Sequence, residues 1–487
     1  MNSKTSFKPR SAGTALPARA RDGSQTSSSG DTSDALRLLV RRYQKWKRPI
    51  SVNFRRILPA LNSPDRLTHL IHPYPAKLLV HIPVFFLATD LLSKRGDVVL
   101  DPFCGSGTVL LEAQMAHRLA YGVDANPLAR LIARTKTTPL DGGLLEKSLV
   151  NVLKRTPQEP SGNAPDVVNL NHWFFPHVVR QLQCLRETIE RLRCAAIRDF
   201  LLVCFSACVR KVSLADPRLS VPVRLRRGQY PKKHLLRAKC DAHLRQLRRV
   251  RVADVFARIA RTNIARMKNV GPHSNGMGPA EIVCSDARRL EYEYSSNGNC
   301  NTPIPDESVQ LIITSPPYPG AQKYIRSCSL SLGWLGLCPT SELRQYKARA
   351  IGREEFTKRE CDNIPATKIA KADKALARIR KRNPVRAAIA ATYLNEMREA
   401  MREMCRVLRQ GGHVVLVAAN NQIAGSEFRT VDYLRAIAEE YELSLTACLI
   451  DSILSRGLMT KRNHTASVIT REWVLLLTKG GIPVWTR

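Results

Sequence analysis

The sequence predicts an α/β fold: a doubly wound, Rossmann-like, mostly parallel sheet covered by helices on both faces. Three observations support this prediction. Strand-like apolar runs alternate with helical stretches, one early run leads through a glycine-bearing loop into an amphipathic helix, and the next run ends in an acidic residue. Seven strands are expected, at residues 98–100, 120–123, 282–284, 309–313, 413–418, 443–450 and 473–478.

Composition narrows the classes of function. The chain has 487 residues, 44% of them hydrophobic, and 77 Lys and Arg against 41 Asp and Glu, which gives a formal net charge of +36. Polyanions are therefore the natural partners, nucleic acid first and an anionic membrane surface second. Since no stretch approaches the roughly 20 consecutive apolar residues that cross a bilayer, we expect a soluble protein without a membrane partner.

The cysteines indicate a reduced, intracellular protein. All 13 are scattered, and no two have the C-x-x-C spacing of a zinc or redox site. Cys204 and Cys208 are four residues apart, which places both on one face of a helix and favours a packed core. We predict no metal site.

The N-terminal region divides into two segments. Residues 1–35 are rich in Ser, Thr, Gly and Arg without apolar periodicity, so we expect a disordered tail. An organelle transit peptide is the alternative, although no amphipathic pattern supports it. Residues 36–67 form a basic helical segment that either contacts nucleic acid or is a solvated surface; the sequence leaves both open.

The segment DVVLDPFCGSGTVLLEA, residues 97–113, predicts a strand, a tight loop and a helix. Gly105 and Gly107 let the loop turn closely around a ligand, and the helix starting near Thr108 offers unpaired amides. Asp124 follows Asp101 by 23 positions, about where an acidic strand end accepts ribose hydroxyls. A nucleoside cofactor is thus predicted, rather than a dinucleotide, because the third glycine of G-x-G-x-x-G is missing.

The segment TSPPY, residues 314–318, directly follows the apolar run 309–313. Its two prolines cannot continue a ladder of backbone hydrogen bonds, so they hold the flanking groups rigidly. By itself the segment also fits a structural Pro-Pro turn with a core tyrosine.

Two basic insertions interrupt the strand pattern. The first, residues 137–279, is helical, and between residues 210 and 268 it carries 18 Lys or Arg against three Asp. The second, about residues 320–386, ends in KIAKADKALARIRKRNPVR. Each is a candidate for phosphate contacts and target recognition, with a solvated helical surface as the alternative. The sequence does not choose between them.

Together, DPFCGSGT and TSPPY resemble the S-adenosylmethionine-dependent DNA methyltransferases that modify exocyclic amino groups, and SPPY resembles the N4-cytosine branch. HPYPAK at 72–77 is similar to the segment that precedes the glycine loop in this family, SDARRL at 285–290 to a cofactor-contacting strand end, and RVLRQGGHVVLV at 406–417 to the elements after the catalytic loop. The resemblance implies the family's seven-stranded sheet and a catalytic domain made of residues 68–136 and 280–487.

The resemblance also implies site residues. Ser315, Pro316, Pro317 and Tyr318 would be catalytic: the Ser315 hydroxyl and the Pro316 carbonyl would accept hydrogen bonds from the target amine, and Tyr318 would stack on the flipped base. S-adenosylmethionine would be bound by His72, Pro75, Lys77, Asp101, Phe103, Gly105, Gly107, Thr108, Asp124 and Asp286.

Several of these residues have structural alternatives. His72 fits a buried structural histidine equally well, and Asp286 an ordinary surface or capping aspartate. We expect Cys104 to be a packing residue because direct transfer needs no thiol nucleophile. No role is predicted for Glu472.

The implied activity is direct methyl transfer to the N4 amine of cytosine in double-stranded DNA. Adenine N6 in DNA, an RNA amino group, and a binding protein without catalysis are the alternatives. A cytoplasmic location and a cognate restriction endonuclease are implied by the resemblance alone.

Overall fold

The computed structural model describes residues 30–61, 66–75, 77–231, 233–271, 276–290, 303–320, 324–353, 355–453 and 470–486. The predicted tail therefore lies outside the described residues as far as residue 29. Its predicted end at residue 35 is too late, because the first helix begins at Ser33. That start is fixed by Asp31, whose carboxylate accepts hydrogen bonds from the Ser33 amide and hydroxyl, and by the burial of Leu36.

One large sheet forms the centre of the molecule. The strands are β1 (Ile50–Ser51), β2 (Val98–Asp101), β3 (Leu119–Val123), β4 (Ala280–Cys284), β5 (Val309–Thr314), β6 (Leu408–Ala418), β7 (Asn421–Ile423), β8 (Ser426–Phe428), β9 (Leu443–Ser452) and β10 (Arg471–Lys479). The order in the sheet is β1-β9-β10-β6-β5-β2-β3-β4, and β7 and β8 form a separate hairpin. Strand β10 runs antiparallel to both neighbours, while the other pairings of this sheet are parallel.

The predicted fold class and all seven predicted strands are confirmed. The strand count is not, because β1 adds an eighth strand by pairing parallel with residues 449 and 450 of β9. A two-residue strand is too short to produce an alternating pattern of apolar and polar residues, so β1 is recognised only through its pairing with β9. It falls within the basic segment that the sequence predicts to be helical.

The helices lie on both sides of the sheet and in an added layer. They are α1 (Ser33–Trp46), α2 (Phe54–Ile57), α3 (His81–Leu87), α4 (Thr108–Met115), α5 (Pro127–Thr137), α6 (Gly142–Arg155), α7 (Leu170–Trp173), α8 (Pro176–Glu190), α9 (Ala195–Val212), α10 (Leu235–Leu247), α11 (Val252–Lys268), α12 (Tyr324–Trp334), α13 (Leu343–Arg349), α14 (Lys358–Asp362), α15 (Ala370–Arg382), α16 (Pro384–Val407) and α17 (Thr430–Glu439).

Two hydrophobic cores hold these elements. The larger joins the sheet to α1, α3, α4, α16 and α17. The smaller lies among α5, α6, α8, α9, α11 and α12. Cys204 and Cys208 are fully buried in the smaller core, as predicted. The first insertion thus packs as a helical layer on α5, the helix that follows β3.

The parallel strands place their carboxyl ends at one edge of the sheet. Strand β2 lies between β3 and β5, and from β2 the chain order runs to β3 and β4 on one side and to β5 and β6 on the other. Ligands of doubly wound sheets bind in the crevice at such a reversal point. None of the helices within the described residues is long and apolar enough to cross a membrane.

Candidate active site at the carboxyl edge of the sheet

A cleft opens where strands β2 to β5 end. Its walls come from the glycine loop (Phe103 and Gly105), from Asp124 after β3, from residues 285–287 after β4, and from Ser315 and Pro317 after β5. Residues far apart in the chain therefore share one cavity. Apolar side chains and a few polar groups line it, as in most small-molecule sites.

The glycine loop owes its shape to close packing. Gly107 has φ +73°, and a Cβ atom there would lie 2.9 Å from the Cβ of Ala133 on α5. Gly105 also has positive φ, +50°, but a Cβ there would meet only the Tyr74 ring at 3.6 Å. Glycine is thus needed at position 107 because the backbone has positive φ and α5 leaves no room for a side chain. At Gly105 the absence of a side chain leaves the backbone accessible from the cleft.

Asp124 connects the loop to the next strand. Its Oδ2 accepts a hydrogen bond from the Gly105 amide at 2.9 Å, and its Oδ1 accepts one from the Asn126 amide at 2.8 Å. Burial raises the pKa of this carboxyl group. Each oxygen retains acceptor capacity, so the carboxylate can shape the loop and still accept hydroxyl groups of a ligand.

Asp101 lies beneath the cleft and joins its two halves. This residue is 4% exposed, and its Oδ1 accepts hydrogen bonds from the Thr314 hydroxyl at 2.6 Å and from the Phe103 amide at 3.1 Å. Burial raises the pKa of Asp101 to about 7. One carboxyl group therefore ties the start of the glycine loop to the residue before Ser315.

The TSPPY segment divides its side chains between two environments. Ser315 and Pro317 line the cleft, whereas Pro316 is buried and Tyr318 does not line this cavity. The Tyr318 hydroxyl donates to Glu472 Oε1 at 3.2 Å. The ring of Tyr318 is thereby held from its far end.

Glu472 is a site residue that the sequence did not reveal. It lies at the start of β10 opposite Asp451 of β9, and Asp451 pairs with Arg55 at 3.1 Å. Burial raises the pKa of Glu472. Because β10 is antiparallel, its first residues reach the edge where the parallel strands end; this depends on topology and has no local sequence signal.

Asp286 faces the cleft from the end of β4. Its carboxylate is held by Arg288, with Nε 2.9 Å from Oδ1 and Nη2 2.8 Å from Oδ2. Arg288 also reaches Glu396 on α16 at 3.2 Å. The Arg288–Asp286 ion pair thus fixes the Asp286 carboxylate at the mouth of the cavity.

The HPYPAK segment enters the cleft through a residue other than those predicted. His72 is buried against the Ser206 hydroxyl, with 2.9 Å between Nε2 and Oγ, and burial lowers its pKa to about 3. Lys77 Nζ donates to the carbonyls of residues 69 and 72 at 2.9 and 2.7 Å. Tyr74 lines the cavity instead, and its hydroxyl accepts from the Asn126 side chain at 3.2 Å.

The ten predicted cofactor residues thus separate into two groups. Phe103, Gly105, Asp124 and Asp286 line the cleft. The remainder lie outside its lining: His72, Pro75, Lys77, Asp101, Gly107 and Thr108. The side chains of His72, Lys77 and Asp101 bond to other protein atoms instead. Cys104 is buried in the larger core, and burial raises its thiol pKa, as a packing residue requires.

Other lining residues were missed by the sequence reasoning, among them Tyr74, Asn126 and Tyr324. Asn126 had a usable signal, because Asn before Pro127 is a typical helix start, and its side chain does cap α5 through the Leu128 amide. Tyr324 had none, since it begins a helix inside the second insertion.

Comparisons with known proteins agree with this geometry. Residues 30–134 match the family model described as DNA methylase. The Type II methyltransferase M.MvaI of Kocuria varians is 26% identical over 292 residues, 56% of this chain and 58% of that protein. The Type II methyltransferase M.MjaII of Methanocaldococcus jannaschii is 34% identical over 108 residues, 22% of this chain and 20% of that protein. The chain therefore spans less than two thirds of either relative.

Two solved structures are also similar. An rRNA methyltransferase, aviRa, from Streptomyces viridochromogenes has 11% identity over 88% of this chain and 96% of its own, with a TM-score of 0.32. A SAM-dependent methyltransferase from Methanosarcina mazei has 10% identity over 79% and 93%, with a TM-score of 0.28. Likeness at these scores is too weak to support a conclusion about function.

The family match and the two relatives support the DNA methylase family. The family match supports S-adenosylmethionine as the cofactor, and the cleft fits it, with an open glycine backbone, the carboxylates of Asp124 and Asp286, and apolar walls. The family match and the two relatives do not distinguish N4-cytosine from N6-adenine modification.

Proposed function

We propose that this chain is a DNA methyltransferase that modifies the N4 amine of cytosine in double-stranded DNA. The observation that carries the proposal is the shared cleft: Ser315 and Pro317 face the same cavity as Gly105, Asp124 and Asp286. A cofactor held by the glycine loop would lie beside the oxygens of the TSPPY segment. Ser rather than Asp at the first position of the tetrapeptide favours cytosine.

The proposed chemistry needs fixed acceptors. When bound, S-adenosylmethionine supplies an electrophilic methyl group. An exocyclic amine is a weak nucleophile because its lone pair is delocalised into the base. The Ser315 hydroxyl and the Pro316 carbonyl would accept hydrogen bonds from the amine and turn its lone pair out of conjugation. The two prolines keep these oxygens still, since their φ angles are fixed.

The remaining site residues would bind and orient. Gly105 and Asp124 would hold the nucleoside part of the cofactor, with Phe103 and Asp286 at the walls of the cleft. Tyr318 would stack on a base turned out of the duplex, because the reacting amine cannot be reached inside a stacked helix. The basic insertions would contact phosphates. A restriction–modification setting, with a cognate endonuclease in the cytoplasm, belongs to this proposal.

Product analysis tests the proposal. The purified chain is incubated with labelled S-adenosylmethionine and duplex DNA or RNA, and the digested nucleosides are identified by mass spectrometry. N4-methylcytosine is expected. N6-methyladenine or a methylated ribonucleoside would overturn the substrate assignment, and salt-dependent DNA binding without transfer would indicate a binding protein.

A further inference from the structure

A second concave surface, here called the α15 groove, lies between α15, the β7–β8 hairpin and α17. It encloses about 420 Å³. Four of its lining residues are cationic, Arg378, Lys381, Arg382 and Arg429, and one, Glu427, is anionic. The cations come from two separate parts of the chain, so helix pattern alone does not produce this cluster.

The three α15 cations are exposed because the opposite face of that helix is buried. Ala375 on that face is buried, and Ala372, Leu376 and Ile379 pack into the larger core. Helical periodicity then turns the lysines and arginines outwards. Basic residues in the last turn of a helix also interact favourably with the helix dipole. That effect alone does not explain why Arg429, from another part of the chain, lies opposite them.

The charge of the groove is only partly neutralised. Arg429 pairs with Asp432 at 2.6 Å, and Arg382 donates to the Ala424 carbonyl at 3.4 Å. Among the described residues, no carboxylate pairs with Arg378, Lys381 or Arg382. The groove therefore offers a concave, cationic surface suited to an anionic ligand.

The basic part of the first insertion differs in this respect. There Arg218 pairs with Asp216 at 2.5 Å and Arg237 with Asp241 at 2.9 Å. Arg261 reaches Glu146 at 3.2 Å, and Arg210 donates to the carbonyls of residues 216 and 219. Several cations of that region thus bond to the protein itself.

The groove also lies at the edge of the sheet where the candidate active site opens. After α15 the chain enters α16, where Arg386 Nη1 contacts the Gly320 carbonyl at 3.5 Å, two residues beyond Tyr318. On the other side, β7 begins three residues after β6, and β6 pairs with β5 at Thr314 and Leu416. One wall of the groove is thus joined to the TSPPY segment through α16, and the other through β6.

We propose that the α15 groove binds backbone phosphates of the duplex DNA whose base enters the cleft. This inference rests on the proposed function. Phosphate contacts fix the position of a duplex without reading its sequence, and a cationic wall beside the catalytic loop would hold the strand on which a base is turned out. The first insertion then remains available for contacts elsewhere on the duplex.

Salt-dependent binding by the full chain tests this inference. Arg378→Ala/Lys381→Ala/Arg382→Ala removes the three cations of the groove. Lys94→Ala/Arg95→Ala/Arg402→Ala removes three exposed cations outside both insertions, before β2 and near the end of α16, and is the matched control. Binding of a labelled 30-base-pair duplex is measured by fluorescence anisotropy over a range of salt. Each lost phosphate contact should lower the slope of log K against log salt by about 0.9.

In the groove variant we expect the slope of log K against log salt to become smaller by roughly 2 to 3 and the affinity at 0.1 M salt to fall about 100-fold. Both changes should be clearly smaller in the control variant. Equal losses in the two variants, or none in the groove variant, would overturn the inference. A loss seen with duplex RNA and not with DNA would overturn the choice of ligand.

Failure of the proposed function gives a different result. A wild-type chain that binds no duplex at all would contradict both proposals, whereas one that methylates DNA and tolerates the groove variant contradicts this inference alone. Cofactor binding and thermal unfolding show whether the triple variant is folded. If it is not, the single variant Lys381→Glu tests the same point, and it should change the salt dependence of binding more than Arg95→Glu, at an exposed site outside both insertions, does.

Discussion

The two halves of the cleft are held in different ways. The half proposed to bind the cofactor, here called the cofactor half, is the glycine loop with Asp124. It is fixed by contacts between neighbouring βα units: Gly107 packs against Ala133, and the Gly105 amide donates to Asp124. The half proposed to bind the base, here called the base half, is TSPPY. It is fixed by distant partners, with Thr314 bound to Asp101 and Tyr318 bound to Glu472.

The difference separates two kinds of vulnerability. A substitution in the cofactor half should act through packing and backbone strain, and so reduce stability and cofactor binding together. A substitution in the base half should leave the cofactor half folded and reduce only transfer. Experiments that measure binding and transfer separately therefore test the division.

Replacing Ser315 should have the largest effect on transfer. Ser315→Ala removes a proposed acceptor for the target amine, and the loss of one such group costs roughly 100- to 1000-fold in rate. Single-turnover transfer and calorimetric cofactor binding would be measured, with the cofactor Kd expected to change less than about twofold. Ser329→Ala, at a partly exposed position on α12, is the control. Normal transfer by Ser315→Ala would exclude Ser315 from the site.

Replacing Gly107 should break the cofactor half. In Gly107→Ala the new methyl group meets Ala133 at 2.9 Å in a left-handed backbone, which should lower the free energy of unfolding by about 2–4 kcal/mol. Gly105→Ala has left-handed backbone but room for a methyl group, so about 1–2 kcal/mol is expected. Chemical denaturation measures both, and equal losses would contradict the packing role of Ala133.

Asp101 links the two halves, and its protonation should make the stability of the folded chain depend on pH. Burial raises the pKa of Asp101 to about 7 in the folded chain, above its usual value near 3.9. Between pH 4 and 7 the folded state therefore binds more protons than the unfolded state, and this group makes stability fall as pH rises. Asp101→Asn should remove this fall in stability. From pH 5 to pH 8 the free energy of unfolding of the variant should therefore rise by about 1–3 kcal/mol relative to that of the wild type.

Denaturation midpoints at the two pH values would measure the Asp101 effect. Asp97→Asn, four residues earlier and partly exposed, should keep the pH dependence of the wild type. The same slope in Asp101→Asn as in wild type would show that Asp101 is not the group that titrates.

Removing the partner of Tyr318 should have the smallest effect. Glu472→Ala removes the carboxylate that accepts from the Tyr318 hydroxyl, which costs about 1–2 kcal/mol and should lower kcat roughly 5- to 30-fold through a less well positioned ring. Glu472→Gln retains an acceptor and should recover most of the rate. A merely structural role would instead lower unfolding stability equally in both variants and leave kcat unchanged.

Local patterns predicted the strands and the glycine loop, but only four of the ten predicted cofactor residues line the cleft. The glycine loop, Asp124 and all seven strands of the core are defined by residues close together in the chain, where period, turn and spacing are informative. The base half was predicted in position but not in its support, because Glu472 lies 154 residues beyond Tyr318 and arrives through an antiparallel strand. His72 and Lys77 show the converse: their segment reaches the cleft, but the polar groups face buried protein partners that no local pattern reveals.

Strand β1 has a practical consequence for anyone who wishes to express part of this protein. Residues 50 and 51 complete one border of the sheet, and Arg55 shortly after them pairs with Asp451, next to the residue that holds Tyr318. A fragment that starts at residue 68, the predicted start of the catalytic domain, would lack β1, leave the edge of β9 unpaired and leave the buried Asp451 carboxylate without its partner Arg55. The smallest fragment worth purifying therefore starts near residue 30.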